Sequence, residues 1–376
     1  MTKRRILFIH SNLGGGGAEM ALIEVLNHLD YTHYDVTLFL LYRLGDFIDR
    51  VPPQVHFKTE QFGQYFPGLK GRLAIRFGLR NWMLHRCARR VFAHEHYDAI
   101  VSFMEAGPAR FHSYILGKGS RNVTWVHCDL LNNHYSTAFF HRLSQEKKFY
   151  SRMDEVVFVS EDAKKNFGKL FGMDKGRVIY NIIDRQAICK RANEVANVPQ
   201  HRTFTFVNVG SLKEVKRQDR IIEVAAILKS HGYDADFWLI GKGIWEERLK
   251  EQAASIGVEN MVHFLGFQPN PYPFIAAADA FLLTSDSEGF PLVVAEAMCL
   301  GRAIISTRIT GPMEMLDNGQ YGILTDFSPA KIANAATALI KDPQMLSKYQ
   351  GLASERATAY FDMKNVMTQI NEALKF

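Results

Sequence analysis

Two glutamates separated by seven residues, Glu288 and Glu296, stand in the segment LLTSDSEGFPLVVAEAMCLGRAIIST (282–307). The segment reads as a strand ending near Ser285, a turn through Asp286, Ser287 and Glu288, and a helix over 292–300 stopped by Gly301. Pro291 suits the first helical position, because its missing N–H would be an orphan there. Gly289 permits an unusual backbone angle or a close approach. The helix is apolar on every face except at Glu296, and a carboxylate in such a setting is costly unless something hydrogen-bonds to it. Ribose hydroxyls are suitable donors; an internal arginine or lysine is the alternative. The free amides of the Gly289–Leu292 stretch, those of Gly289, Phe290 and Leu292, lie at the positive end of the helix, where open α/β folds bind anions. One turn can therefore serve an anionic leaving group with its amides, sugar hydroxyls with Glu288 and ribose with Glu296.

Other residues have chemistry suited to the same task. Lys216 follows a strand ending at Gly210 and can neutralise a departing diphosphate, where charge grows in the transition state. A solvated lysine is the plainer reading, as for Lys213 and Arg217, although Arg217 can also supply a second cation. Gly14–Gly17 follow the first strand and precede an amphipathic helix, so the backbone there can approach a phosphate or sugar. The run GGGGAE does not match the G-x-G-x-x-G dinucleotide pattern, and the next strand ends in Tyr42–Arg43 rather than an acidic residue. Glu19 is read as a cap of that helix. His127 ends a strand in TWVHCDLLNNHYS (124–136), with Asp129 and His134 beside it as acceptor ligands or local caps. Glu105, after another strand, either faces an acceptor or holds a turn. The remaining histidines read as structural or exposed. Gly241 and Gly243 make a tight strand-to-helix turn.

These residues must be positioned by alternating strands and helices. Strand candidates are 5–10, 36–41, 99–103, 123–127, 156–160 and 178–181 in the first half. In the second half they are 204–210, 236–241, 262–266, 280–285, 303–307 and 322–325. Most are apolar throughout, as in strands covered by helices on both faces, which predicts open, doubly wound parallel sheets. Two sheets accommodate them better than one. The polar stretch 185–202 is the expected linker. The C-terminal stretch 362–376 reads as an amphipathic helix with Met363, Val366, Met367, Ile370 and Leu374 on one face.

The length of 376 residues allows two or three domains of about 150 residues each. Hydrophobic residues at 47% and charged residues at 22% exclude a disordered chain. No apolar run is long enough to span a bilayer as a helix, and Ile6–Ile9 after Lys3, Arg4 and Arg5 is too short for a secretory signal. Cys87, Cys128, Cys189 and Cys299 are scattered without metal-ligand spacing, as in a reduced, cytoplasmic chain. The net charge of +6 is concentrated in 67–95, where Lys70, Arg72, Arg76, Arg80, Arg86, Arg89 and Arg90 interleave with Leu69, Leu73, Phe77, Trp82 and Leu84. Such a stretch suits the anionic inner leaflet, each basic residue adding ~1 kcal/mol near the surface. An amphipathic helix with a solvated cationic face is the alternative; no nucleic-acid motif accompanies the charge.

EGFPLVVAE (288–296) resembles the signature of glycosyltransferase family 4, retaining enzymes of the GT-B fold. The resemblance extends through GGGGAE (14–19), VVFVSEDAKKNF (156–167), VIYNIID (178–184), VGSLKEVKRQDRII (209–222), LIGKGIWEERL (239–249), FLGF (264–267) and the GPMEML…YGIL run (311–324). It implies two Rossmann-like domains facing across a cleft. An acceptor-binding domain at 1–184 and a nucleotide-sugar-binding domain at 203–360 would be joined by the 185–202 linker, with 361–376 crossing back to the first domain. It also implies transfer of a hexose or N-acetylhexosamine from a nucleotide sugar, expected to be UDP-linked, to a glycan or polyprenyl-linked acceptor, as in surface-polysaccharide or lipopolysaccharide synthesis. Configuration would be retained without an obligatory metal or cofactor, at the cytoplasmic face of the inner membrane. Glu288, His127 and Lys216 are the expected catalytic residues, with Gly16, Gly17, Gly210, Ser211, Gly241, Gly266 and Phe267 contributing to the donor site. The family commonly has arginine where Ser211 stands, which puts a two-cation clamp in question. Rival readings are a nucleotide-sugar epimerase, a phosphorylase and a non-catalytic nucleotide-sugar-binding protein.

Overall fold

The computed structural model describes residues 2–59, 79–200 and 203–375. The chain divides into two units, Met1–Ile182 with Lys364–Phe376, and Ile183–Met363.

The first unit holds a parallel sheet of β1 (Arg4–His10), β2 (Tyr34–Leu40), β3 (His56–Thr59), β4 (Tyr97–Ser102), β5 (Gly119–Val126), β6 (Glu155–Phe158) and β7 (Arg177–Val178). Its order is β3-β2-β1-β4-β5-β6-β7. The chain builds outward from β1 to β3, then returns to place β4 on the other side of β1. That reversal leaves a switch point at the carboxyl ends of β1 and β4, where ligands of open α/β sheets bind. Leu7, Ile9, Phe39 and Ile100 pack with Leu84, Phe92 and Phe111, while Val126 and Phe158 pack with Phe149, Tyr150 and Phe167.

The second unit repeats the plan with β8 (Phe204–Val209), β9 (Ala235–Ile240), β10 (Val262–Gly266), β11 (Ala280–Leu283), β12 (Ala303–Thr307) and β13 (Ile323–Thr325). The order β10-β9-β8-β11-β12-β13 puts its switch point between β8 and β11. Phe206, Phe237, Leu239, Leu282 and Ile305 form its core with Ile221, Leu228 and Leu249.

Each expected strand is present, with its ends moved by a few residues at most sites. β3 is additional: HFKT carries a single large apolar side chain and occupies the sheet edge, so it lacks the apolar run of a covered strand. Residues 185–192, expected as the start of a linker, instead form a helix of the second unit (Arg185–Ala192). Asp184 caps it, its carboxylate accepting from the Ala187 amide at 2.9 Å, and Ile188 is buried. The final helix, Met363–Leu374, buries Val366, Ile370, Ala373 and Leu374. Within the first unit Arg121 donates to the Ala373 carbonyl at 2.7 Å and Tyr34 to Asn371 at 3.0 Å.

Candidate functional site

The loops leaving β8 and β11 are stitched together at the second switch point. The Asp286 amide donates to the Val215 carbonyl and Thr284 Oγ1 to the Arg217 carbonyl, both at 2.9 Å. Lys216 Nζ lies 2.6 Å from Glu288 Oε1, which also accepts from Ser285 Oγ at 2.7 Å. Arg220, almost fully buried, pairs with Asp286 at 2.6 Å and donates to the Thr284 carbonyl at 2.8 Å. Arg217 is part-exposed but not presented alone: it pairs with Asp219 at 2.9 Å and Asp286 at 3.3 Å, and these carboxylates, Asp219 first, raise its pKa. Its backbone is left-handed, with φ 52°, where the loop turns into the Gln218–Ser230 helix.

The helix after β11 is Leu292–Cys299, followed by Gly301 with φ 65°. Pro291 precedes the helix at ψ 98° as its cap rather than occupying its first turn. Gly289 is not left-handed; the close approach falls on its carbonyl. A Cβ on Gly311 would stand 2.7 Å from the Gly289 oxygen and 2.6 Å from Pro291 Cδ, while the Gly311 amide donates to the Glu288 carbonyl at 3.2 Å. Phe290 is buried, its ring edge-on to Phe361 at 6.4 Å. Glu296 is 8% exposed and accepts from the Tyr272 hydroxyl at 3.1 Å, a phenol donor that neither the ribose nor the arginine-or-lysine reading of the sequence named. Arg191 lies over the Tyr272 ring at 4.7 Å.

Gly210, Gly241 and Gly266 lie together at the carboxyl ends of β8, β9 and β10. The Gly210 amide donates to Ile240 at 2.9 Å and the Gly241 amide to Gly266 at 2.8 Å. Gly241 has φ 143°, and a Cβ there would fall 2.0 Å from the Gly210 carbonyl oxygen, so no larger residue fits. The Ser211 carbonyl accepts from the buried Gln218 side chain at 3.2 Å. Lys242 Nζ is 5.0 Å from the Phe267 ring centre.

In the first unit, His10 ends β1 and His127 follows β5. Burial lowers both pKa values; His127 falls to about 3, with His10 as a further cause. Glu105 is 1% exposed and bridges two elements, accepting from the His127 amide at 2.9 Å and the Tyr135 hydroxyl at 2.5 Å. Asp129 is fully buried and accepts from the Leu131 and Asn132 amides and the Asn132 and Asn166 side chains. His134 binds buried Glu146 at 2.8 Å. Of the two readings of Glu105 and Asp129, acceptor contact or local structure, these bonds are those of the second: both carboxylates hold residues 127–135 in place. Gly16, the cap residue of the helix Gly17–His28, has no side chain to cap it, and Glu19, expected as its cap, stands in the first turn without a hydrogen bond to the backbone there. Glu19 instead folds over Gly16, where a Cβ would meet its carboxylate at 2.5 Å; the equivalent position on Gly17 is open. Arg80 lies over Phe139 at 3.9 Å and donates to the Ala138 carbonyl, so it too is turned onto the unit. Arg72 and Arg76 lie outside the described residues. Sequence reasoning missed His10, Tyr135, Tyr272, Ser285 and Asp286 as partners; of these His10 and Ser285, as the last residues of expected core strands, carried a local signal.

Among the described residues no group of three or more His, Cys, Asp or Glu side chains can hold a metal ion, and no helix is long and apolar enough to cross a membrane. The four cysteines are free thiols.

Two open parallel sheets with loops gathered at their switch points define a GT-B protein, and the comparisons agree. The family described as glycosyl transferases group 1 matches residues 190–356, and that described as glycosyltransferase family 4 matches 15–187. The chain belongs to glycosyltransferase family 4. It is 27% identical over 161 residues to the lipopolysaccharide core biosynthesis glycosyltransferase LpsE of Rhizobium meliloti, covering 43% of this chain and 46% of the relative. It is 26% identical over 206 residues, covering 54% of each chain, to a Campylobacter jejuni protein. That protein is named N-acetylgalactosamine-N,N'-diacetylbacillosaminyl-diphospho-undecaprenol 4-alpha-N-acetylgalactosaminyltransferase. The chain spans about half the length of the curated relatives it matches. Anabaena HepE, solved with UDP-glucose, shares the fold at TM-score 0.75 and 23% identity over 99% of both chains.

Proposed function

We propose that the protein is a retaining, metal-independent glycosyltransferase that moves a hexose or N-acetylhexosamine from a UDP-sugar to a hydroxyl of a glycan or lipid-linked acceptor in cell-surface polysaccharide synthesis. The observation that carries this reading is the Lys216–Glu288 pair at the switch point, in the loop that leads into the helix carrying the buried Glu296. An arriving diphosphate competes with Glu288 for Lys216. The ammonium then faces the leaving group as its charge grows, together with the amides at the start of the 292–299 helix. Glu288, released from Lys216, accepts from hydroxyls of the donor sugar. Glu296 accepts from ribose, with Gly210, Ser211, Gly241, Gly266 and Phe267 along the nucleotide. The acceptor hydroxyl attacks on the face the diphosphate leaves and yields its proton to a leaving phosphate oxygen.

The C-terminal unit is assigned the nucleotide and the N-terminal unit the acceptor. The choice of UDP is supported by the uridine nucleotide bound to HepE, and a lipid-linked acceptor by the name of the Campylobacter relative. In the N-terminal unit the helix Leu79–Val91 exposes Leu79, Trp82, His85, Arg86, Arg89 and Arg90, which suits peripheral contact with an anionic cytoplasmic leaflet. Flotation with anionic liposomes, and not with neutral ones, is the expected result; equal recovery from both removes the membrane role.

Transfer from a UDP-sugar panel tests the function. Activity should be lost in Glu288→Ala and kept in Lys331→Ala, an exposed position on a distant helix. Nucleotide-sugar binding with no transfer to any acceptor would instead favour the non-catalytic reading that Ser211 suggests.

A further inference from the structure

His10 ends β1 beside the first switch point and is fully buried. Its Nδ1 is 2.7 Å from the Asn12 carbonyl oxygen. A carbonyl only accepts, so Nδ1 carries the hydrogen, and the neutral ring presents a bare lone pair at Nε2. That Nε2 is buried and has no hydrogen-bond partner among the described residues. The same is true of His127 Nε2, just past the end of β5, the strand beyond β4, where a charge on His10 acts on it. Glu19 and Glu105 are the carboxylates that act on His10. Glu105 also fixes the His127 backbone, so that imidazole is held from behind. A buried acceptor left unpaired is costly, and two at neighbouring carboxyl ends of the sheet call for a donor that the described residues do not supply.

We infer that His10 is a ligand-contact residue, its Nε2 accepting a hydrogen bond from a sugar hydroxyl beside the one that His127 accepts. Two neutral imidazoles with bare nitrogens suit vicinal hydroxyls, which can donate to both at once. Carboxylates and phosphates have no proton to give them. The inference rests on the proposed glycosyltransferase activity and adds a saccharide subsite in the N-terminal unit; the hydroxyls can belong to the donor sugar or to an acceptor sugar.

The test compares wild type with His10→Phe, which removes the acceptor, and His10→Gln, whose Oε1 can stand near Nε2. Calorimetry measures UDP, UDP-glucose and UDP-N-acetylglucosamine, and then glucose and N-acetylglucosamine in the presence of saturating UDP. A tenfold loss, the worth of one good hydrogen bond, is expected in His10→Phe for ligands carrying the contacted sugar, with UDP affinity unchanged and recovery in His10→Gln. Loss confined to the UDP-sugars assigns the hydroxyl to the donor, and loss confined to the free sugars assigns it to the acceptor. Unchanged sugar affinity in His10→Phe overturns the inference. So does a loss that Gln fails to restore or that extends to UDP, since a structural histidine would behave that way. Wild type that binds none of these ligands removes the glycosyltransferase reading itself, and the subsite with it.

Discussion

Lys216 and Glu288 are 72 positions apart in sequence, and their side chains meet at 2.6 Å where the loops after β8 and β11 cross the switch point of the second sheet. In the proposed reaction this pair supplies a cation to the diphosphate and a carboxylate to the sugar. Mutual neutralisation keeps both ordered until a ligand separates them. The Ser285 hydroxyl on the same Glu288 oxygen, and the Arg220–Asp286 pair behind it, fix the loop in that state.

Removing Lys216 should therefore act on the leaving group. Lys216→Ala is expected to lower kcat by about 10²–10³, the usual scale for losing one preorganised electrostatic donor. It should also weaken UDP binding, while Glu288→Gln should lower kcat with UDP affinity kept. Steady-state kinetics and UDP titration separate the two; equal effects on UDP binding would remove the division of roles.

Tyr272→Phe deprives the buried Glu296 of its phenol donor. A loss of about 1–3 kcal/mol in unfolding free energy is expected, read by chemical denaturation. Added UDP should restore part of it, because ribose hydroxyls can replace the lost donor. A variant as stable as wild type would show that Glu296 does not depend on the tyrosine.

Gly311→Ala places a methyl group against the Gly289 carbonyl and Pro291, at 2.7 and 2.6 Å. Backbone and a rigid ring cannot yield cheaply, so the 288–291 turn must shift. Activity should fall at least tenfold at a temperature where the variant remains folded, since small misplacements of catalytic groups are costly. Near-normal kcat/KM would show that the turn tolerates displacement.

Acid should destabilise the first unit through buried imidazoles. His112 bridges Ser102 and Asn122, both at 3.0 Å, and burial lowers its pKa from 6.5 to about 4. Between these values the unfolded chain binds the proton and the folded chain does not, so stability is full above pH 6.5 and is lost as pH falls through about 4. His127 works in the same direction, with its folded pKa about 3. Thermal midpoints should fall from neutral pH toward pH 4, with a shallower slope in His112→Asn. An unchanged slope would assign the acid sensitivity to other groups.

The strands were legible because covered parallel strands are apolar throughout, and the helix stop at Gly301 was legible because a left-handed residue there favours glycine. β3 was not, since an edge strand with one large apolar residue carries no such run. Glu288, Lys216 and Glu296 stood out as charges beside strand ends or on apolar helices. Their partners did not: nothing in the sequence around Tyr272, Ser285 or Asp286 reveals a contact made across two loops or two helices. Glu105 shows the converse limit. A carboxylate after a strand looks available in one dimension, yet Tyr135 and the His127 amide, both distant in sequence, occupy its two oxygens.

The most direct test of the account is calorimetric titration of the protein with uridine and guanosine diphospho-sugars and with free UDP and GDP, repeated on Glu296→Ala. Saturable binding of at least one sugar nucleotide is expected, and of its parent diphosphate, both weakened about tenfold when Glu296 is removed. No measurable heat with any of these ligands at millimolar concentration would contradict it.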